Sequence, residues 1–99
     1  MEKNLKDYFE KSLEASNFFK IFADDTRLKI LLTINEKEIS VGDIVKSVGI
    51  SQSAVSHQLK ILRDHRIVKT KKVGKSVFYS LDDNHIIAII KDGFEHINE

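Results

Sequence analysis

The chain has 99 residues, which is enough for one compact domain and too few for two. It contains no cysteine, and this excludes disulfide bonds, thiolate metal sites and thiol redox sensing. No apolar run approaches the roughly 20 residues of a membrane helix, and the amphipathic, acid-containing start is unlike a signal peptide. We therefore expect a single domain over residues 1–99, located in the cytoplasm, with no membrane partner.

The formal net charge of +1 conceals one basic stretch, residues 57–75. This stretch contains a single acid, Asp64, among these basic residues: Lys60, Arg63, Arg66, Lys69, Lys71, Lys72 and Lys75. The rest of the chain has nine Lys/Arg against 14 acids. Such a block is typical of a face that binds a polyanion, and a merely solvated surface is the alternative.

Apolar spacing predicts two helices in the first third of the chain. Residues 3–22 place large apolar side chains at mostly helical intervals, which indicates a first helix. Asp24 or Asp25 then caps a second helix. Residues 35–37 follow as a loop.

Two shorter helices come next. Ser40 and Asp43 have the spacing of a capping box, in which the serine oxygen accepts a hydrogen bond from a free backbone amide. Gly49 suits the left-handed position just after this third helix. Ser51 then caps a fourth helix, roughly over residues 51–64.

The apolar period changes after the fourth helix. Residues 67–73 and 76–81 are short stretches rich in β-branched and aromatic residues, separated by Gly74-Lys75, and this pattern predicts a β-hairpin. Asp82 and Asp83 then cap a last helix that runs to the end of the sequence.

The interior of the last helix, residues 86–90, reads IIAII and is apolar nearly all round. We expect such a helix to be buried, against another subunit. The predicted order is α-α-α-α-β-β-α, a mainly α fold with a two-stranded β-hairpin. Helices three and four form a helix-turn-helix, and the hairpin beside them is a wing.

The fourth helix carries the side chains expected to read DNA. Val55, Leu59 and Leu62 recur at three- and four-residue steps and must face the core. The polar side chains that remain point outward and suit base edges and phosphates in a major groove: Gln52, Ser53, Ser56, His57 and Lys60. The hairpin adds cations that suit backbone phosphates: Lys71, Lys72 and Lys75. We therefore predict that the chain binds double-stranded DNA.

Two pairs of zinc-binding side chains stand at the ends of the last helix: Asp83 with His85, and His96 with Glu99. Eleven residues separate the two histidines. At about 100° and ~1.5 Å per residue they share a face but lie about 16 Å apart along the axis. One chain cannot bring both to one metal, whereas two antiparallel copies can, which makes two identical sites per dimer. Two imidazoles and two carboxylates suit zinc, with cobalt as its surrogate.

Plainer explanations exist for each of these residues. Asp83 can be only a helix cap, and His96 with Glu99 can be a solvated helix end. His57 lies on the DNA face and is a contact rather than a ligand, while His65 is exposed. A metalloenzyme is disfavoured because four protein ligands leave no open position on the metal. We therefore expect no catalytic residues and no small organic substrate.

The stretches ISQSAVSHQLKILRDHRIVKTKKVGKSVFYSLDDNH and FKIFADDTRLKIL resemble the ArsR/SmtB family of bacterial metal-responsive repressors, and the resemblance covers nearly the whole chain. It implies a winged-helix homodimer formed by the first and last helices, which represses by occupying operator DNA. It implies release when an effector binds, so that zinc would derepress metal efflux or resistance genes. Some members answer to other effectors, and the same fold with a non-metal or unknown effector is the alternative.

The resemblance also assigns roles to single residues. The family's zinc site reads Asp-x-His, then ten intervening residues, then His-x-x-Glu or His-x-x-His, and Asp83, His85, His96 and Glu99 fill every position. The family further implies that His96 donates its second ring N–H to a backbone carbonyl at Arg66 or a neighbour. A second, cysteine-containing site of some relatives is expected to be absent, because the start of the third helix has no thiol.

Overall fold

A computed structural model describes residues 4–35 and 37–99. Along the chain the helices and strands are α1 Leu5–Glu10, α2 Ser12–Phe22, α3 Asp25–Ile34, β1 Ile39–Ser40, α4 Val41–Val48, α5 Gln52–Asp64, β2 Val68–Val73, β3 Ser76–Leu81 and α6 Asn84–Ile97. The helix-turn-helix is α4 with α5, and β2 with β3 forms the wing. The prediction of a mainly α, winged-helix fold is confirmed.

The helices begin where capping side chains stand. A side-chain oxygen accepts a hydrogen bond from a backbone N–H of the first turn at each of these predicted caps: Asp24, Ser40, Ser51 and Asp83. Asp24 rather than Asp25 caps α3, and Asp83 rather than Asp82 caps α6. Gly49 ends α4 in the left-handed conformation, with φ of 79°, as predicted.

The prediction of one unbroken helix over residues 3–22 is wrong, because Lys11 separates α1 from α2. The Ser12 hydroxyl donates a hydrogen bond to the Phe9 carbonyl at 2.9 Å. A serine hydroxyl bonded to a nearby backbone carbonyl competes with the helical ladder, which accounts for the interruption. The start of the predicted helix, residue 3, lies outside the described residues.

A two-residue strand was absent from the prediction. In β1, Ile39 lies opposite Tyr79 and Ser40 opposite Phe78, so the sheet has the order β1-β3-β2. Two residues are too few to show an alternating pattern. The pairing ties the start of α4 to the wing. The predicted loop at residues 35–37 lies between α3 and β1, and residue 36 is outside the described residues.

The core fixes the orientation of α5. The fully buried side chains of the core come from α3, α4, α5 and the segment after α5: Ile30, Leu31, Ile34, Ile44, Val55, Leu59, Leu62 and Ile67. Val55, Leu59 and Leu62 are each 0% exposed, as predicted. Because these three hold one face of α5 in the core, the opposite face is held toward solvent.

The apolar centre of α6 is buried largely by its own chain. Ile86, Ile87 and Ile90 belong to the core, so the prediction that residues 86–90 are buried against another subunit is wrong for these three. They pack on the same cluster that holds α5. Ala88 is exposed on the other side of the helix. No helix within residues 4–35 and 37–99 is long and apolar enough to cross a membrane.

Candidate nucleic-acid interface and metal half-sites

The outward face of α5 carries the side chains predicted to read DNA, and all of them are exposed: Gln52, Ser53, Ser56, His57 and Lys60. The Ser51 hydroxyl caps the helix by accepting from the Ala54 amide at 3.2 Å. The core residues behind this face leave α5 little freedom to rotate. The face is therefore presented in one orientation, as insertion into a major groove requires.

The outward face of α5 and the wing line one groove of about 380 Å³. Its lining residues come from α4, α5, β1 and β3: Ser40, Val41, Gly42, Gln52, Ser56, Ser76 and Val77. Gln52 and Ser56 were predicted as DNA contacts. The other five were not, because only the pairing of β1 with β3 brings them beside α5. Small and hydroxyl-bearing side chains suit the close approach of a phosphate backbone.

The wing places its lysines on different faces of the hairpin. Lys71 lies opposite Phe78, and Lys72 lies opposite Val77. Successive side chains of a strand point to opposite faces. Lys72 therefore shares the face of Val77, which lines the groove, while Lys71 lies on the other face. Lys75 stands in the turn, and all three lysines are exposed.

Lys60, the last predicted contact on α5, has an acidic neighbour. Its Nζ lies 3.0 Å from Asp64 Oδ2, one helical turn along. The hydrogen bond from Lys60 lowers the pKa of the Asp64 carboxyl, so the pair persists above that pKa and is lost as the pH falls through it. At neutral pH Asp64 therefore competes with a DNA phosphate for Lys60.

Replacing Asp64 by Asn is expected to tighten binding to any duplex DNA. The change frees Lys60 and removes a negative charge from the DNA face, for a gain of about two- to fivefold in affinity. The gain should shrink at high salt. Fluorescence anisotropy with operator and random duplexes measures it.

A matched control for Asp64→Asn lies on α3. Asp25 forms the same i,i+4 pair with Lys29, also at 3.0 Å, but away from α5. Asp25→Asn makes the same change in net charge and is expected to leave DNA affinity unchanged. An equal gain from both variants would mean that net charge, and not the position of Lys60, is responsible.

The first predicted metal pair meets at the start of α6. Asp83 Oδ1 accepts the His85 amide hydrogen at 2.9 Å, and His85 Nδ1 lies 3.4 Å from the same oxygen. The capping position brings together two side chains that a regular helix would splay. Both are exposed, with 51% of the Asp83 side chain and 90% of the His85 side chain accessible.

The second pair meets at the end of α6, where His96 Nδ1 lies 3.7 Å from Glu99 Oε2. The two pairs are separated by the length of a 14-residue helix, about 21 Å at ~1.5 Å per residue. In the described part of the chain, no group of three or more His, Cys, Asp or Glu side chains is placed to hold a metal ion. Each pair offers two of the four donors that zinc takes and is a candidate half-site.

Exposed apolar side chains lie on α1, α2 and the end of α6. In α1 and α2, Leu5, Phe9 and Leu13 are 65%, 68% and 73% exposed at four-residue steps. At the end of α6, Phe94 and Ile97 are 40% and 75% exposed. Exposed apolar side chains at helical spacing are typical of a face that another protein surface covers.

Arg66, whose carbonyl the resemblance names as the acceptor of the His96 N–H, lies two residues after the end of α5, the recognition helix. Its amide donates to the Arg63 carbonyl at 3.0 Å, and the Ile67 amide donates to the Leu62 carbonyl at 2.9 Å. These two bonds form a Schellman motif, with Arg66 at the left-handed position that glycine usually takes, at φ of 59°. A hydrogen bond to the Arg66 carbonyl would act directly on the end of α5.

A polar recognition helix beside a basic wing defines a winged-helix DNA-binding regulator. Residues 24–70 match the family described as bacterial regulatory protein, arsR family. A transcriptional repressor SmtB homolog from Synechocystis sp. is 38% identical over 90 residues, which cover 91% of this chain and 68% of that relative. The chain belongs to the ArsR family of DNA-binding transcriptional regulators, and it is not an enzyme.

Two further similarities agree with this assignment. A cadmium resistance transcriptional regulatory protein CadC homolog from Staphylococcus aureus is 35% identical over 91 residues, covering 91% of this chain and 75% of that relative. The crystal structure of NolR from Sinorhizobium fredii superposes with a TM-score of 0.81 at 29% identity, covering 96% of this chain and 95% of that one. The fold is therefore shared with this solved structure over nearly the whole chain.

Proposed function

We propose that this chain is a zinc-responsive transcriptional repressor that acts as a homodimer. The observation that carries the proposal is the position of two exposed donor pairs, Asp83 with His85 and His96 with Glu99, at opposite ends of α6. Each pair supplies two donors, and zinc takes four. When α6 lies antiparallel to its symmetry mate, the first pair of one copy meets the second pair of the other, and the dimer has two such sites.

The donors favour zinc among metals. The resemblance to a regulator named for cadmium resistance supports a metal effector, but this chain has no cysteine thiolate to offer. Imidazole and carboxylate donors in a tetrahedral arrangement suit Zn²⁺, and Co²⁺ as its spectroscopic surrogate. A ligating imidazole must be neutral, so protons compete with the metal.

The homodimer is proposed to bind operator DNA in its metal-free form. The exposed apolar stripe of α1 and α2, together with Phe94 and Ile97, forms the face that the second copy covers. Twofold symmetry then presents two α5 helices to successive major grooves. Lysines of the wing contact phosphates, which gives affinity that falls with salt concentration.

Zinc lowers DNA affinity only if it favours a dimer shape that fits the operator poorly. When bound, the ion cross-links the two α6 helices and so restricts the spacing of the recognition helices. His96 is proposed to add a second constraint by donating its free ring N–H to the Arg66 carbonyl, as metal-ligating histidines usually donate to a carbonyl or carboxylate. Arg66 belongs to the Schellman motif that closes α5, so this bond would act on the end of the recognition helix.

The proposal is tested by zinc titration of the purified dimer, with binding followed in parallel on an operator selected from random duplex DNA by the metal-free protein. We expect two zinc ions per dimer and loss of operator affinity as they bind. His96→Ala should lose both effects, whereas His65→Ala, a change of another exposed histidine, should keep both. If zinc leaves operator affinity undiminished, the zinc proposal is wrong, and the alternative is the same fold with a non-metal or unknown effector.

A further inference from the structure

The peptide groups of Ile67 connect the recognition helix to the metal half-site within one chain. On one side, the Ile67 amide donates to the Leu62 carbonyl of α5 at 2.9 Å. On the other side, the Ile67 carbonyl accepts a hydrogen bond from the Asp82 amide at 3.0 Å. The Ile67 side chain is 1% exposed, so the core holds this residue in place.

Asp82 joins the wing to the metal half-site. Strand β3 ends one residue earlier at Leu81, which lies opposite Val68, and α6 is capped one residue later by Asp83. A movement of the Asp83 backbone therefore reaches the Asp82 amide across one peptide bond. The chain passes within two residues from an exposed half-site to a bond with the buried Ile67, three residues after α5 ends.

The surroundings of Asp83 leave room for such a movement. A cavity of about 510 Å³ lies beside it, lined in part by Asp82, Asp83, Lys69 and Ser80. Its mouth faces solvent, and the Asp83 side chain is half-exposed. In contrast, Ile67 has packed neighbours on every side. The hydrogen bond from the Asp82 amide to the Ile67 carbonyl thus joins a segment with space to move to a residue that has none.

We propose that the hydrogen bond from the Asp82 amide to the Ile67 carbonyl transmits the state of the Asp83 half-site to the recognition helix of the same chain. The inference rests on the proposed function and names a second route of coupling. In the free chain, Asp83 Oδ1 holds the His85 amide. To ligate a metal shared with the other copy, the carboxylate reorients, and the backbone on both sides of Asp82 shifts with it, including the Leu81–Asp82 peptide that carries the N–H. This weakens the bond to Ile67 and loosens the end of α5, where the proposed His96–Arg66 bond also acts.

The test removes the Asp82 N–H and keeps both half-sites. Asp82→Pro lacks the donor, and Leu81 already has the extended conformation that a following proline requires. Asp82→Asn is the matched control, because it removes the charge and keeps the N–H.

Both variants should bind zinc and, without zinc, operator DNA. Asp82→Pro should show a zinc-induced loss of operator affinity at least about fivefold smaller than wild type, whereas Asp82→Asn should show the full loss. Full coupling in a folded Asp82→Pro would overturn the proposal.

A measurement on the unaltered dimer decides the question even if Asp82→Pro does not fold. Without DNA, the Asp82 amide should exchange its hydrogen about tenfold faster when zinc is bound. The Asn35 amide, which donates to the Leu31 carbonyl at 2.9 Å, is the internal reference and should be unaffected. Equal exchange at Asp82 in both states would overturn the link. If wild type fails to bind zinc or to release DNA, both the proposed function and this inference are wrong. If wild type does both but the Asp82 amide exchanges equally in the two states, only this inference is wrong.

Discussion

Mixing His85→Ala chains with His96→Ala chains should restore zinc binding that neither homodimer has. Each homodimer lacks one imidazole at both of its sites. In the mixed dimer, one site lacks both histidines, but the other combines an intact Asp83–His85 pair with an intact His96–Glu99 pair. Random exchange of subunits makes half of the dimers mixed, so about a quarter of the wild-type capacity should return. Cobalt absorbance, or competition with a chelator of known affinity, measures that capacity.

The result depends on the geometry of α6. The two pairs lie at opposite ends of the helix, and the chain is too stiff there to bring them together. His65→Ala mixed with either variant is the control: each mixed dimer again has one intact site, and the His65→Ala homodimers keep two. If the His85→Ala and His96→Ala mixture binds no more zinc than the separate homodimers, the sites are not shared between chains.

Replacing Leu59 by Ala should cost about 2–5 kcal/mol of the free energy of unfolding. Leu59 is 0% exposed and anchors α5 to the core, so its truncation leaves a cavity under the recognition helix. The loss is a large part of the about 5–15 kcal/mol that stabilises a typical domain. Urea denaturation at one fixed protein concentration measures it, because the stability of a dimer depends on concentration.

Leu32→Ala is the matched control for Leu59→Ala. Leu32 lies on α3 and is 42% exposed, so the same truncation removes fewer packed contacts and leaves no closed cavity. We expect it to cost less than half as much. Equal losses at the two positions would mean that the burial of Leu59 does not anchor the recognition helix.

The helix ends and the hairpin turn could be predicted from the sequence because each depends on neighbouring residues. Ser40 and Ser51 each accept a hydrogen bond from an amide three residues on. Gly49 and Gly74 both adopt positive φ, at 79° and 61°, and glycine does this without the steric cost of a side chain. Spacing within one helix was also enough to place Val55, Leu59 and Leu62 in the core.

The proximity of the two side chains within each candidate half-site could also be predicted, for the same reason. Asp83 meets His85 because the cap lies two residues away, and His96 faces Glu99 because residues three apart are neighbours on a helix. The separation of the two pairs follows from the helical rise. The sequence could therefore indicate two half-sites, and the sharing between two chains remains a proposal that the subunit-mixing experiment tests.

The sequence by itself determined the helix caps, the hairpin, the exposed face of α5 and the donor pairs of α6. Only the tertiary structure decided the features that join distant residues. These are the pairing of β1 with β3, the groove shared by Ser56 and Val77, the burial of Ile86 in its own chain and the bond from Asp82 to Ile67. The physical reason is that caps and turns depend on residues within about four positions, whereas these contacts form only after the helices pack around a common core.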